Sequence, residues 1–237
     1  MTTFLLIHGA WHGGWCYKRV SERLRAEGHL VYTPTNTGLG ERSHLYHREI
    51  DLEVHITDIL NVIKWEEIDD FVLVGHSYGG MIITGVADRV PEKVRRLVYL
   101  DAFVPEDGKC QMDYMPEEHN DAMRADAAEF DNSIRPIPAE NFRVNENDVD
   151  WVNSMCVRHP IHTFDQPLKQ CGGIAKLRSR RVLVLSEGRA EGPFRQFYDV
   201  LVSDVNWITY KVPCGHEIMI DMPDEMVRIL LEVAGQP

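Results

Sequence analysis

The ten residues Val72–Met81, VLVGHSYGGM, place Ser77 between Gly75 and Gly79 directly after an apolar run that begins at Phe71. Four consecutive apolar residues, Phe71 to Val74, read as a strand buried on both faces, and the stretch from Tyr78 to Arg89 reads as a helix. Gly-x-Ser-x-Gly carries meaning in this strand–turn–helix setting, because a serine on a sharp turn holds its hydroxyl clear of the sheet. Small flanking residues let strand and helix approach, a need met by Gly75, Gly79 and Gly80. The helix N-terminus then offers unpaired N–H groups and a dipole suited to developing negative charge. Ser77 is therefore the candidate nucleophile, and the Tyr78 N–H one candidate oxyanion donor.

Outward from this turn the chain alternates. Phe4 to Ile7 is an apolar strand, Trp15 to Glu27 a helix stopped by Gly28, and Leu30 to Tyr32 a short second strand. Ile56, Ile59, Leu60 and Ile63 mark Asp51 to Lys64 as an amphipathic helix, and Arg96 to Leu100 is a further strand. The rhythm resumes with strands at Val182 to Leu185 and Trp207 to Val212, with a helix over about Gly192 to Leu201 between them. A final helix spans Pro223 to Ala234. Such alternation predicts an α/β fold, with a mostly parallel central sheet and helices on both faces. From Pro105 to about Leu177 Pro116, Pro136, Pro138, Pro160 and Pro167 interrupt the pattern. So long a stretch without structure of its own would be unusual in a compact domain, so short helices forming a cap are expected there. The division predicted is a core of residues 1–104 and 178–237 with an inserted cap or lid at 105–177, one structural domain overall.

With 237 residues the chain suits a single domain. Its net charge of −12 argues against nucleic acid, and the short basic run at residues 178–181 reads as a solvated strand entry. Five scattered cysteines show no metal spacing, and no histidine pair has zinc-like spacing to a third ligand; no metal and no cofactor are expected. The first residues lack the basic and apolar regions of a signal peptide or membrane span. A cytoplasmic protein acting on a small-molecule ester is expected, with no membrane partner and with a homodimer allowed.

The Gly-rich stretch His8–Trp15 follows the first strand, at the end of a sheet where ligands bind. Its Ala10 N–H is the second candidate oxyanion donor. It contains no Gly-x-Gly-x-x-Gly, which disfavours a nucleotide loop. Of eleven histidines only His216 lies between a late strand and the last helix, where a catalytic base following Ser and acid in sequence belongs.

FLLIHGAWHGGW at 4–15, VLVGHSYGGM, LVYLDAFVPEDG at 97–108 and CGHEIMIDMP at 214–223 together resemble the α/β-hydrolase superfamily. The resemblance is to the branch of plant methylesterases, hydroxynitrile lyases and bacterial carboxylesterases. It implies an α/β-hydrolase fold with a small helical cap inserted after the sixth-strand region, a serine esterase, and a Ser–His–acid triad. It also implies that His8 shapes the oxyanion loop and that His12 lines the pocket. In this branch the acid commonly follows the strand at Val182 to Leu185, a position that falls here near Arg189. Glu187 and Glu191 flank it, whereas Asp101 ends the strand after the elbow, where dehalogenases and some lipases place their acid. Asp101 is the leading candidate, Glu187 the alternative, with Glu191 or a Ser–His dyad behind them. Glu217 stands where the lyases carry a lysine, which disfavours cyanide chemistry. Trp11, His12 and Trp151 are expected to contact substrate, with Phe130, Met112, Met115 and Phe164 available from the cap. The predicted activity is hydrolysis of small to medium hydrophobic or aromatic esters through an acyl-enzyme. Alternatives on the same fold are a lactonase, a C–C bond hydrolase or lyase, or a non-catalytic receptor.

Overall fold

The computed structural model describes residues 1–189 and 192–235. The strands, in chain order, are β1 (Thr3–Ile7), β2 (Leu30–Tyr32), β3 (Phe71–His76), β4 (Val94–Leu100), β5 (Ser133–Ile134), β6 (His159–Pro160), β7 (Arg181–Ser186) and β8 (Trp207–Val212). The helices are α1 (Lys18–Ala26), α2 (Leu52–Trp65), α3 (Gly79–Arg89), α4 (Glu117–Glu129), α5 (Val149–Met155), α6 (His162–Asp165), α7 (Arg195–Leu201), α8 (Ile218–Asp221) and α9 (Pro223–Gly235). Six strands form one sheet in the order β2-β1-β3-β4-β7-β8, with every neighbouring pair parallel. β3 is buried along its whole length, as its unbroken apolar run requires.

The chain moves from β1 outward to β2, then back past β1 to β3. Right-handed crossovers therefore put α1 on one face and α2 and α3 on the other. α9 packs on α1, and α2 packs on α3. α2 starts one residue later than its apolar stripe suggests, because Asp51 caps it by accepting the Val54 N–H at 2.9 Å. The helix before β8 begins at Arg195, after the breakers Gly192 and Pro193. Among the described residues no helix is long and apolar enough to cross a membrane.

Between β4 and β7 the chain builds α4, α5 and α6, short 3-10 turns and the two-residue antiparallel pair β5–β6. That pair has no apolar alternation long enough to announce it in the sequence. The segment leaves the sheet after its fourth strand in chain order, so the place expected after the sixth-strand region falls here after β4. Its own apolar residues, Ile134, Phe142, Phe164 and Leu168, join the core rather than forming a second one.

Close approach at the start of α3 depends on Gly80, where an added Cβ would lie 2.0 Å from the Phe103 carbonyl oxygen. Backbone cannot yield as a flexible side chain does. Gly80→Ala is expected to lower stability by about 3 kcal/mol, read as a reduced urea midpoint with an unchanged slope.

Candidate active site

Chain direction across the sheet reverses between β1 and β3, which lie side by side with Ile7 opposite Gly75. A crevice opens at such a switch point, at the carboxyl ends of the strands. The His8–Trp11 loop and Ser77 both emerge there. Ser77 has φ +54°, a left-handed conformation that non-glycine residues rarely adopt. The turn is held by its neighbours: the Ser77 N–H donates to Leu100 O (3.3 Å), and Ser77 O accepts from Gly80 N (3.0 Å) and Phe103 N (3.2 Å). Ser77, Tyr78, Ala10, Trp11 and His216 line one cavity of about 50 Å³.

Asp101 directly follows β4 and also has a left-handed φ, +42°. Its Oδ2 accepts from His216 Nδ1 at 2.7 Å and from the Ser186 hydroxyl at 2.8 Å, and its Oδ1 accepts from the Ser186 N–H at 3.0 Å. Burial pushes the Asp101 carboxyl up to about 7, opposed by the two Ser186 donors. Burial, with Arg189 and His12 nearby, holds the His216 imidazole well below its usual value, which favours the neutral form a base requires. The ring is stacked on Phe194, with centroids 5.1 Å apart and planes 5° from parallel, and the His216 N–H is bonded to Phe142 O at 2.9 Å. Glu187 is not brought to this histidine; its carboxylate meets Lys211 at 3.2 Å near the surface. Glu191 lies outside the described residues.

Behind His216 lies a second buried group. Glu217 is fully buried, with Oε1 3.5 Å from His12 Nε2 and Oε2 3.9 Å from His76 Nδ1. Burial, then Asp221 and Asp101, raises its carboxyl to about 8, so it is mostly protonated at neutral pH. His12 is fixed by its Nδ1 on Ala10 O at 2.6 Å, which braces the loop carrying the candidate oxyanion amide. His8 bridges the same loop to the chain after β2, with Nδ1 on Gly9 O (2.8 Å) and Nε2 accepting from Asn36 N (3.1 Å). Ligand atoms of His76, His216 and Glu217 come within 4.8 Å of one another, the arrangement nearest to a metal-binding group among the described residues. Two of its nitrogens are engaged elsewhere, His216 Nδ1 by Asp101 and His76 Nε2 by the His216 carbonyl at 3.1 Å.

The expected substrate contacts separate on folding. Trp11, Met115 and Phe164 line the cavity, whereas His12 sits behind it. Trp151 packs edge-on against Trp15 at 5.2 Å and under the Arg19 guanidinium, away from the cavity. Phe130 is an exposed platform for Arg158, and Met112 is buried outside the cavity wall. Residues not anticipated make up much of the rest of the wall, among them Phe103, Gln111, Met123, Phe142, Arg189 and Phe194. Phe103 closely follows the strand that ends at Asp101, so it could have been proposed on position alone. The others come from helix or loop segments with no local pattern that marks them. Arg189, at the place where an acid was sought, lies over the Phe142 ring at 4.9 Å.

Comparison with known proteins agrees with this architecture. The alpha/beta hydrolase family profile matches residues 4–229. A carbendazim hydrolyzing esterase of Nocardioides sp. (strain SG-4G) is 46% identical over 97% of this chain and 98% of that protein. Methylesterase 10 of Arabidopsis thaliana is 30% identical over 98% of this chain and 92% of its own. An extracellular alpha/beta-hydrolase from a Paenibacillus species superposes with a TM-score of 0.85 over the whole of both chains at 24% identity, a likeness of fold. The chain belongs to the alpha/beta hydrolase family and is a carboxylic ester hydrolase.

Proposed function

We propose that this esterase works by a Ser77–His216–Asp101 triad on small to medium hydrophobic or aromatic esters. The observation that carries the reading is one shared apolar cavity: it is lined by Ser77, on its strained turn, and by His216, bonded to Asp101 at 2.7 Å. In this reading Asp101 holds His216 Nδ1–H, leaving Nε2 to take the Ser77 hydroxyl proton as Oγ attacks the ester carbonyl. The Ala10 and Tyr78 N–H groups receive the oxyanion, with the α3 dipole behind Tyr78. The alcohol leaves with the proton from His216, and water then hydrolyses the acyl-enzyme. Aromatic walls from Trp11, Phe103, Phe142, Phe164 and Phe194 support a flat, apolar acyl group. Likeness to the Nocardioides protein puts carbendazim first among substrates to try. The five cysteines are unpaired, which supports a reducing, cytoplasmic compartment.

A fluorophosphonate is expected to add its mass to the peptide carrying Ser77 and to abolish hydrolysis of aryl methyl esters and of carbendazim. Labelling elsewhere, or no turnover of any ester, would overturn the reading.

A further inference from the structure

One wall residue of the cavity is chemically out of place. Gln111 opens a 3-10 turn over Gln111–Tyr114, in the segment between β4 and α4, and is only 6% exposed. It lines the cavity together with Ser77 and His216, yet its Oε1 has no hydrogen-bond partner among the described residues. A buried acceptor left without a donor is destabilising, a penalty that a leucine or methionine of similar volume would avoid. Met115, Met123 and Ile137 line the same wall, as do the polar His119 and Arg189. A second orphan lies in the same wall: the indole N–H of Trp11 is buried and without an acceptor among the described residues. The cavity thus keeps one acceptor and one donor unanswered among aromatic rings. An acyl group with an N–H beside its carbonyl, attached to a flat ring, would give Gln111 Oε1 its missing donor.

We propose that Gln111 is a specificity-determining residue that accepts the N–H of an N-aryl carbamate ester, ArNH–CO–OR, held over Ser77. The proposal rests on the reading of Ser77 as nucleophile. Ser77 Oγ bonds to the carbamate carbon as its proton passes to His216. The C–OR bond then breaks, and the alkoxide leaves as ROH with that proton. Water cleaves the resulting carbamoyl-serine to ArNH–COOH and free Ser77. The carbamic acid loses carbon dioxide to give ArNH₂, so no oxidant or reductant is required. Met115 and Met123 are flexible gap-fillers that can shift to admit a ligand larger than the present 50 Å³.

The test compares methyl N-phenylcarbamate with methyl phenylacetate, in which CH₂ replaces the N–H, and with methyl N-methyl-N-phenylcarbamate, which lacks the donor. For Gln111→Met, kcat/KM for methyl N-phenylcarbamate is expected to fall about 10–100-fold further than for methyl phenylacetate. Gln111→Glu, which keeps a carbonyl acceptor, should restore much of the preference. On the unmodified enzyme the N-methylated carbamate should lose a comparable factor, a measurement that needs no variant to fold. Equal losses on both substrates in Gln111→Met, an N-methylated carbamate turned over as fast as its parent, or no turnover of the parent carbamate would each overturn the proposal. If the carbamate fails while methyl phenylacetate is hydrolysed and Ser77 takes up the phosphonate, the esterase reading stands alone. If none of these occurs, both fall.

Discussion

Asp101→Asn is expected to lower kcat by about four orders of magnitude on any ester the enzyme turns over. The size follows from the hydrogen bonds around the carboxylate. Ser186 supplies two donors, its N–H to Oδ1 and its hydroxyl to Oδ2. An asparagine here keeps its oxygen toward the Ser186 N–H and presents its NH₂ to His216 Nδ1. That nitrogen must then accept, the ring proton moves to Nε2, and the proposed base faces Ser77 without a free lone pair. Glu187→Gln removes only an exposed ion pair with Lys211 and is expected to leave kcat within about twofold. Steady-state kinetics on the two variants decide between the acids. An Asp101→Asn enzyme keeping more than a tenth of the activity would exclude Asp101 from the triad.

The second large effect is on stability. The Glu217 carboxyl titrates near 8 in the folded protein against 4.5 as an ordinary glutamate, because burial penalises its charged form. Between those values the folded chain holds a proton that the unfolded chain releases. Stability from this group is therefore fully present below pH 4.5 and declines as pH rises, until the folded group ionises near 8. The loss over the window is on the order of 5 kcal/mol. Glu217→Gln keeps the shape without the titration, so its stability advantage over the parent should grow steadily from pH 5 to pH 8 and then level off. Urea unfolding at pH 5, 6.5 and 8 measures this, and parallel curves for the two proteins would contradict it. Constraint of this kind beside His12 and His76 is costly to stability, and it keeps a neutral carboxyl, rather than a charge, behind the histidine that the proposed mechanism uses.

The sheet and the elbow were legible because their signals are local. Phe4 to Ile7, Phe71 to Val74 and Val182 to Leu185 are apolar runs whose burial on both faces demands a parallel sheet, and each forms a strand at its expected place. Gly75, Ser77 and Gly79 announce the turn, and the order of motifs singles out His216. Which carboxylate meets His216 was not decided that way. Asp101 and the Glu187 region follow β4 and β7, neighbours in the sheet, so both lie within reach of one histidine by topology alone. Only the left-handed turn at Asp101, with Ser186 opposite it, sets which carboxylate faces inward. Likewise Trp151 was a plausible pocket residue and Gln111 an unremarked one. Chain segments far apart in sequence cross above Ser77, and their crossing hides the tryptophan and presents the glutamine. Periodicity and turn chemistry are properties of neighbouring residues, and they fix the strands, the helices and the turn at Ser77. Which side chains converge on that turn depends on how distant segments pack, and that only the tertiary structure decides.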